Sequence, residues 1–294
     1  MKKGLWYAIG AYVAWGFFPI YWKWLDQVPA PQLIGHRVVW SFLFLCVIMS
    51  WVHQWKAFRA AIASPRILLI YTAAAILLAI NWLTYIAAIN AGFIVETSLG
   101  YFITPLLSMV LGVVILRERL RLWQWIPVGL AAAGILYLTF SYGSLPWIGL
   151  ILAFSFGLYG FVQKTAPLGA LDSVTLETGI MLLPAIAFLL YTEFTGQGAF
   201  LHSSAISNIL MLGAGVVTTV PLLMFASATQ RIPLSLMGVL QYIAPTMYFF
   251  IGVLIYGEPL TAERLIGFVI IWVALIIFAV EGFLFHQTQV AVTE

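Results

Sequence analysis

Few side chains in this 294-residue chain hold a charge, so each ionisable residue inside an apolar run is a candidate for chemistry. On insertion scales such a group costs about 2.5–3.5 kcal/mol at the centre of a membrane helix, so its presence asks for a use. Lys23, His36, Arg37 and Glu96 stand at the outer ends of the first, second and fourth apolar runs, where a bundle would gather them into one vestibule. The planar fork of Arg37 suits a carboxylate or a phosphate. Alternatively Arg37 pairs with Glu96. A third reading is that all four snorkel to a nearby membrane boundary. Lys164 follows Lys23 by 141 residues, and Glu177 follows His36 by the same interval. Lys164 reads as a cytoplasmic anchor or as the mirror of Lys23 at a second gate, with Glu177 as its candidate partner. Glu96 and Glu177 are the candidates to carry a coupling proton.

Polar and amphipathic side chains nearer mid-membrane form a second group: Asn81, Trp82, Tyr101, Thr104, Gln163, Gln241 and Tyr242. With them come Pro105 and Pro245, which withhold a backbone N–H, free a carbonyl one turn earlier and bend their helices. In a membrane, freed groups are tolerated where they line a cavity or find new partners. The expectation is a central pocket with aromatic walls between two hinged helices, against the plainer reading of ordinary kinks and packed tyrosines. Two faces of small residues at four-residue spacing, Thr104/Ser108/Gly112 and Gly149/Ala153/Gly157, read as close helix packing. Glu118 and Glu258 each precede a helix and read as caps at its positive end rather than as substrate contacts.

These residues must be positioned by membrane helices. The chain is 63% hydrophobic and 8% charged, where a soluble domain carries roughly 25% charged residues. Its solvent is therefore mostly lipid. A spanning helix needs about 20 apolar residues, and ten runs qualify: 4–24, 33–52, 67–89, 94–115, 122–140, 145–163, 173–193, 205–229, 233–256 and 263–284. The first resembles a signal peptide but is long and aromatic, so it reads as a retained span. Short breaks carry Pro, Gly or charge, including the polar stretch around Lys56, Arg59 and Arg66. With both termini cytoplasmic, Lys2, Lys3, Lys56, Arg59, Arg66, Arg117, Arg119, Arg121, Lys164 and Arg231 fall inside and only Lys23, Arg37 and Arg264 outside, as the positive-inside tendency requires. Cys46 is the single cysteine, so no intrachain disulfide exists.

The chain also repeats. Phe102 and Tyr242, Pro105 and Pro245, Gly112 and Gly252, Glu118 and Glu258, and Leu120 and Leu260 are each 140 residues apart. Gly16 and Gly157, like Lys23 and Lys164, are 141 apart. The unit is thus five spans, 4–140 and then 145–284, in an all-α polytopic fold. Five is odd, so the second copy enters the membrane upside down. Inverted repeats about an axis in the membrane plane are a transporter architecture.

The strings WGFFPIYWKWLDQVPAPQLIGHRVVWSF (15–42), VETSLGYFITPLLSMVLGVVILRERL (95–120), SLPWIGLILAFSFGLYGFVQK (144–164) and VVTTVPLLMFASATQRIPLSLMGVLQYIAPTMYF (216–249), with FVIIWVALIIF (268–278), resemble the RarD-type permeases. These form a branch of the EamA family in the drug/metabolite transporter superfamily. The resemblance covers nearly the whole chain. It implies ten helices in two inverted EamA repeats, a bacterial inner-membrane location and a permease exporting a small metabolite or drug-like compound. The branch is associated with chloramphenicol sensitivity by name, which leaves the natural substrate open.

Other function classes fare less well. No G-x-x-x-x-G-K-[ST] loop is present to drive transport by ATP hydrolysis. His36, His53, His202 and His286 are scattered, with neither an H-E-x-x-H nor a G-x-S-x-G turn, so an enzyme is not expected. No ring of charges or carbonyls suggests a channel filter. A translocator of lipid or lipid-linked substrates stays open. The expected partners are a small-molecule substrate and membrane lipid, with no cofactor, no metal and no nucleic acid, in a monomer or homodimer.

Overall fold

The computed structural model describes residues 2–90, 94–142, 145–257 and 262–293; some side chains at the edges of these ranges, Glu96 among them, fall outside the description. Every regular element among the described residues is helical. The order is α1 (Lys2–Gly16), α2 (Phe18–Lys23), α3 (Ala30–Trp51), α4 (Trp55–Ile62), α5 (Pro65–Asn90), α6 (Ile94–Val110), α7 (Trp125–Tyr142), α8 (Trp147–Thr165), α9 (Ala170–Phe194), α10 (Ala205–Thr229), α11 (Leu234–Gln241), α12 (Ile243–Phe250) and α13 (Ala262–Thr293). A π-helical turn follows α6 at Leu111–Ile115 and another follows α12 at Ile251–Ile255.

Seven stretches are long and apolar enough to cross a membrane: Ala30–Trp51, Pro65–Ala88, Leu122–Phe140, Trp147–Thr165, Ala170–Phe194, Ala205–Thr229 and Leu234–Ile255. Shorter apolar helices span Gly100–Ile115 and Leu265–Glu281. The outward faces carry bare hydrophobic bulk: Phe194 is 86% exposed and Trp51 81%. The interior holds Gln163, Glu177, Thr219 and Thr229 at 0%. Apolar outside and polar inside is the distribution a lipid solvent selects, since a polar group facing hydrocarbon has no partner.

Several boundaries differ from the ten runs. The first run is two helices, because Pro19 has no N–H for the preceding turn and the chain breaks at Phe17. The ninth is likewise broken at Tyr242, where Pro245 withholds the N–H that would reach the carbonyl of Gln241. Pro105 by contrast sits inside an uninterrupted α6. The polar stretch around Lys56 is itself the short helix α4, and the last helix runs on to Thr293.

Elements recur at a constant interval. α3 and α9 start at 30 and 170, α5 and α10 at 65 and 205, and α6 and α11 at 94 and 234, each 140 apart. The π turns at 111 and 251 keep the spacing. Two residues after each π turn comes a left-handed residue, Arg117 (φ 56°) and Gly257 (φ 64°), again 140 apart. α3 packs between α9 and α10, and α6 packs between α8 and α11. Small residues allow these approaches. Gly157 of α8 lies against Leu107 of α6, and a methyl on Gly100 of α6 would meet Leu152 and the Gly149 backbone of α8. The two small-residue faces serve different contacts: Gly149 and Gly157 admit α6, whereas Ser108 and Gly112 face α11 at Gln241 and Ser235.

Candidate functional site

Arg37 lies in the third turn of α3, about 10 Å along the axis from the start of the helix at 1.5 Å per residue. Its guanidinium is caged by rings: the carbon stands 4.3 Å from the centroid of Trp82, 4.9 Å from Trp22 and 5.9 Å from Phe18. Cation–π contacts of this kind contribute about 0.5–2 kcal/mol each, more where water is excluded. Nε donates to Thr218 Oγ1 of α10 at 3.0 Å. Three phenols face the same charge, those of Tyr85, Tyr101 and Tyr248. Tyr101 stands edge-on to Tyr85 at 5.9 Å and to Tyr248 at 5.5 Å. Among the described residues no carboxylate forms an ion pair with Arg37. Nε is thus spent on the protein, while the guanidinium faces aromatic walls and hydroxyls suited to a planar or amphipathic anion.

Arg37, Trp82 and Tyr101 are therefore brought together, and Phe18, Trp22, Tyr85, Thr218 and Tyr248 join them. Tyr85 follows Trp82 by three residues, a helical spacing visible in the sequence. The other joining residues sit on three further helices, and only the packing reveals them. Glu96 falls in the first turn of α6, and its side chain lies outside the described residues.

A second polar cluster is wholly buried. Glu177 of α9 accepts from the Tyr159 hydroxyl on Oε2 (3.0 Å) and from Gln163 Nε2 on Oε1 (2.8 Å). Gln163 Nε2 also donates to the Tyr159 oxygen at 2.9 Å, and its Oε1 accepts from Ser173 Oγ at 2.9 Å. Tyr159, Gln163, Ser173 and Glu177 are each 0% exposed. The expected partnership of Lys164 with Glu177 is not found. Lys164 Nζ donates to the carbonyl of Ile232 at 2.7 Å instead, because Lys164 sits at the helix end beside the turn into α11.

The remaining candidates sit apart from both clusters. Lys23 is exposed and pairs with Asp26 at 3.4 Å. His36 is buried against Phe200 (5.1 Å) on another face of α3 from Arg37. Asn81 Nδ2 donates to Leu152 O (3.0 Å) and Ser155 Oγ (3.1 Å), tying α5 to α8. Gln241 Oε1 accepts from Ser108 Oγ at 3.3 Å, and the buried Tyr242 hydroxyl donates to Phe102 O at 3.3 Å. Phe102 and Tyr242 are 140 residues apart, so two corresponding residues meet each other.

Glu118 caps a helix, but not the one that follows it. A turn through Arg117 brings its Oε1 to Leu234 N (2.6 Å) and its Oε2 to Ser235 N (2.8 Å), at the first turn of α11. Two unpaired amides at the positive end of α11 are thus satisfied by a carboxylate more than a hundred residues away. Glu258 lies outside the described residues.

The buried polar network, the caged arginine and the exposed apolar bulk mark a multi-pass membrane protein rather than a soluble domain, and comparison with known proteins makes it a transporter. The EamA-like transporter family profile matches twice, over residues 2–140 and 145–280. An uncharacterized transporter of Bacillus subtilis, YojE, is 43% identical over 281 residues, covering 94% of this chain and 93% of its own. The protein RarD of Escherichia coli is 42% identical over 282 residues, covering 96% and 95%. A solved structure superposes with a TM-score of 0.71 at 14% identity, covering 95% of this chain and 98% of its own, which speaks to fold alone. The chain belongs to the EamA-like transporter family, in its RarD-type branch, and is a multi-pass protein of the bacterial inner membrane.

Proposed function

We propose that this permease is a secondary transporter that moves a small anionic or amphipathic metabolite or drug-like compound outward by alternating access, with Arg37 as the anchor for the substrate's negative group. The observation that carries the reading is the cage itself: a permanent cation two turns inside a membrane helix, walled by Trp22, Trp82 and Phe18, with no carboxylate partner among the described residues. Such a charge is costly at that depth and is kept where it has a task. The α6–α11 contact supports an inverted pair of five-helix repeats, 4–140 and 145–284. Phe102 meets its counterpart Tyr242, and the Tyr101–Tyr248 ring contact corresponds to the Ser108–Gln241 hydrogen bond when 140 is added to one partner and subtracted from the other. Alternating access in such repeats is a rocking of one against the other. The placement of Lys and Arg supports cytoplasmic termini.

A thermal-shift panel on detergent-purified protein tests the anchor, using amino acids, aromatic carboxylates, sugar phosphates, nucleosides, amphenicols and quaternary cations. A ligand at 100 times its Kd should stabilise the protein by about 2.7 kcal/mol. The expected hits carry an anionic group and vanish in Arg37→Ala. Hits that survive Arg37→Ala unchanged would move the substrate away from this cage. Glu96→Gln, run in parallel, reads whether that carboxylate competes for Arg37. Uptake of a hit into inside-out vesicles then reads the direction.

A further inference from the structure

The two polar clusters occupy corresponding places. Phe18 and Trp22 precede Tyr159 and Gln163 by 141 residues (159 − 18, 163 − 22), and Arg37 precedes Glu177 by 140 (177 − 37). Arg37 lies about 10 Å from the start of α3, and Glu177 lies about 10 Å from the start of α9. One cluster holds a cation without a carboxylate among the described residues. The other holds a carboxylate to which no Lys, Arg or His bonds among them. The nearest basic side chain in sequence, Lys164, is committed to Ile232.

A bare carboxylate charge in a dry interior is among the most expensive groups to keep there, and nature neutralises it with a counter-ion, a metal or a proton. No group of three or more metal-ligating side chains occurs among the described residues. What surrounds Glu177 is a set of neutral groups that serves both of its charge states. As a carboxylate it accepts from Tyr159 and Gln163. As an acid it donates its new O–H to the second lone pair of the Tyr159 oxygen, which already accepts from Gln163; the phenol O–H rotates away from Glu177, and Gln163 keeps its bond to Oε1. Neighbouring helices hold the cluster in place. α10 stacks Phe225 on Tyr159 (5.9 Å, 11°), α3 sets Phe42 against Gly179, and Ser173 holds the Gln163 carbonyl in register.

We infer that the Glu177–Tyr159–Gln163 cluster is a proton-binding site, which on the transporter reading above takes and returns the proton exchanged in each cycle. The proton adds to Glu177 Oε2 from water at the near end of α9 and returns to water when the carboxylate re-forms. Asp172 stands five residues earlier on the same helix, nearer its start and half-buried, with Oδ1 buried and without a hydrogen-bond partner among the described residues. Tyr71 of α5 faces both carboxylates. Among the described residues the titratable groups that act on Glu177 or share its surroundings are thus Tyr159, Tyr71 and, nearer the start of α9, Asp172, and none of them carries a positive charge.

Infrared pH-difference spectra of the full-length protein reconstituted in lipid test the site without a substrate. The expected result is a carboxylic-acid C=O band that grows on acidification, is lost in Glu177→Gln and shifts in frequency in Tyr159→Phe, where the acid loses its acceptor. Asp172→Asn keeps the band, which separates the buried acid from the half-buried one on the same helix. Glu118→Gln leaves it in place. A wild-type spectrum without such a band, or a band that persists unchanged in Glu177→Gln, overturns the proposal. Tyr159→Phe keeps it falsifiable should Glu177→Gln fold poorly, since an unshifted band there has the same force. Neither outcome touches the Arg37 thermal-shift result, so the two readings fail separately.

Discussion

Glu118→Ala is the most informative single perturbation of the scaffold. The substitution removes a carboxylate that accepts from Leu234 N and Ser235 N at 2.6 and 2.8 Å. Hydrogen bonds to a charged group contribute about 1.5–3 kcal/mol each, and loss of a helix cap costs about 0.5–2 kcal/mol. Glu118 is only half-buried, so water replaces part of what is lost. A net loss of about 2–3 kcal/mol follows, and at about 2–4 °C per kcal/mol for a chain of this size the melting temperature should fall about 5–10 °C. The assay is a thermal melt in detergent, with Glu118→Gln losing less because one oxygen still accepts. Glu193→Ala is the control. It removes only the exposed pair with His202 (62% and 52% exposed), a contact of about 0–1 kcal/mol. A Glu118→Ala protein melting within about 2 °C of wild type would refute the idea that this carboxylate fastens α11.

Three further outcomes are expected. Gly238→Ala places a methyl 2.5 Å from Pro105 O and 3.1 Å from Met109 N, backbone atoms that cannot rotate aside. It should cost about 1–3 kcal/mol in a melt, whereas Gly129→Ala in α7, with nothing within 4 Å, should cost nothing. Arg37→Lys keeps the charge but loses the planar stack on Trp82 and the bond to Thr218, so a hit bound through the fork should weaken about tenfold or more in a thermal-shift titration. Equal affinity would mean that charge alone is read. Asn81→Ala should cost about 0.6 kcal/mol, and at most about 1.7, the range measured for polar contacts between membrane helices. A larger loss in the melt would give Asn81 a role beyond joining α5 to α8.

Much of the scaffold was legible because a membrane protein advertises its spans by composition and its duplication by constant intervals. Pro105/Pro245 and Gly112/Gly252 announce the spacing that the helix starts then keep. Arg37, Trp82 and Tyr101 could be picked out as rare or amphipathic residues in apolar runs. Their companions could not, since Phe18, Trp22 and Tyr248 are three among many aromatics and only the crossing of helices selects them. Glu177 was visible as a rare buried acid, but its partners Tyr159 and Ser173 are ordinary residues until α8 and α9 are laid side by side. The Glu118 cap shows the same limit. A carboxylate near a helix start suggests the neighbouring helix, and the turn through Arg117 redirects it to a distant one.

The unequal treatment of two corresponding prolines has a consequence of its own. α6 runs straight through Pro105, while its counterpart is snapped at Tyr242. On the inverted-repeat reading, the halves are one design caught in two postures, one flexed and one extended. Were they to trade postures, the molecule would take up a related shape facing the other way, held by different contacts, since the Tyr101–Tyr248 rings answer to the Ser108–Gln241 hydrogen bond. The gradient across the membrane, rather than the architecture, decides which way the cargo flows.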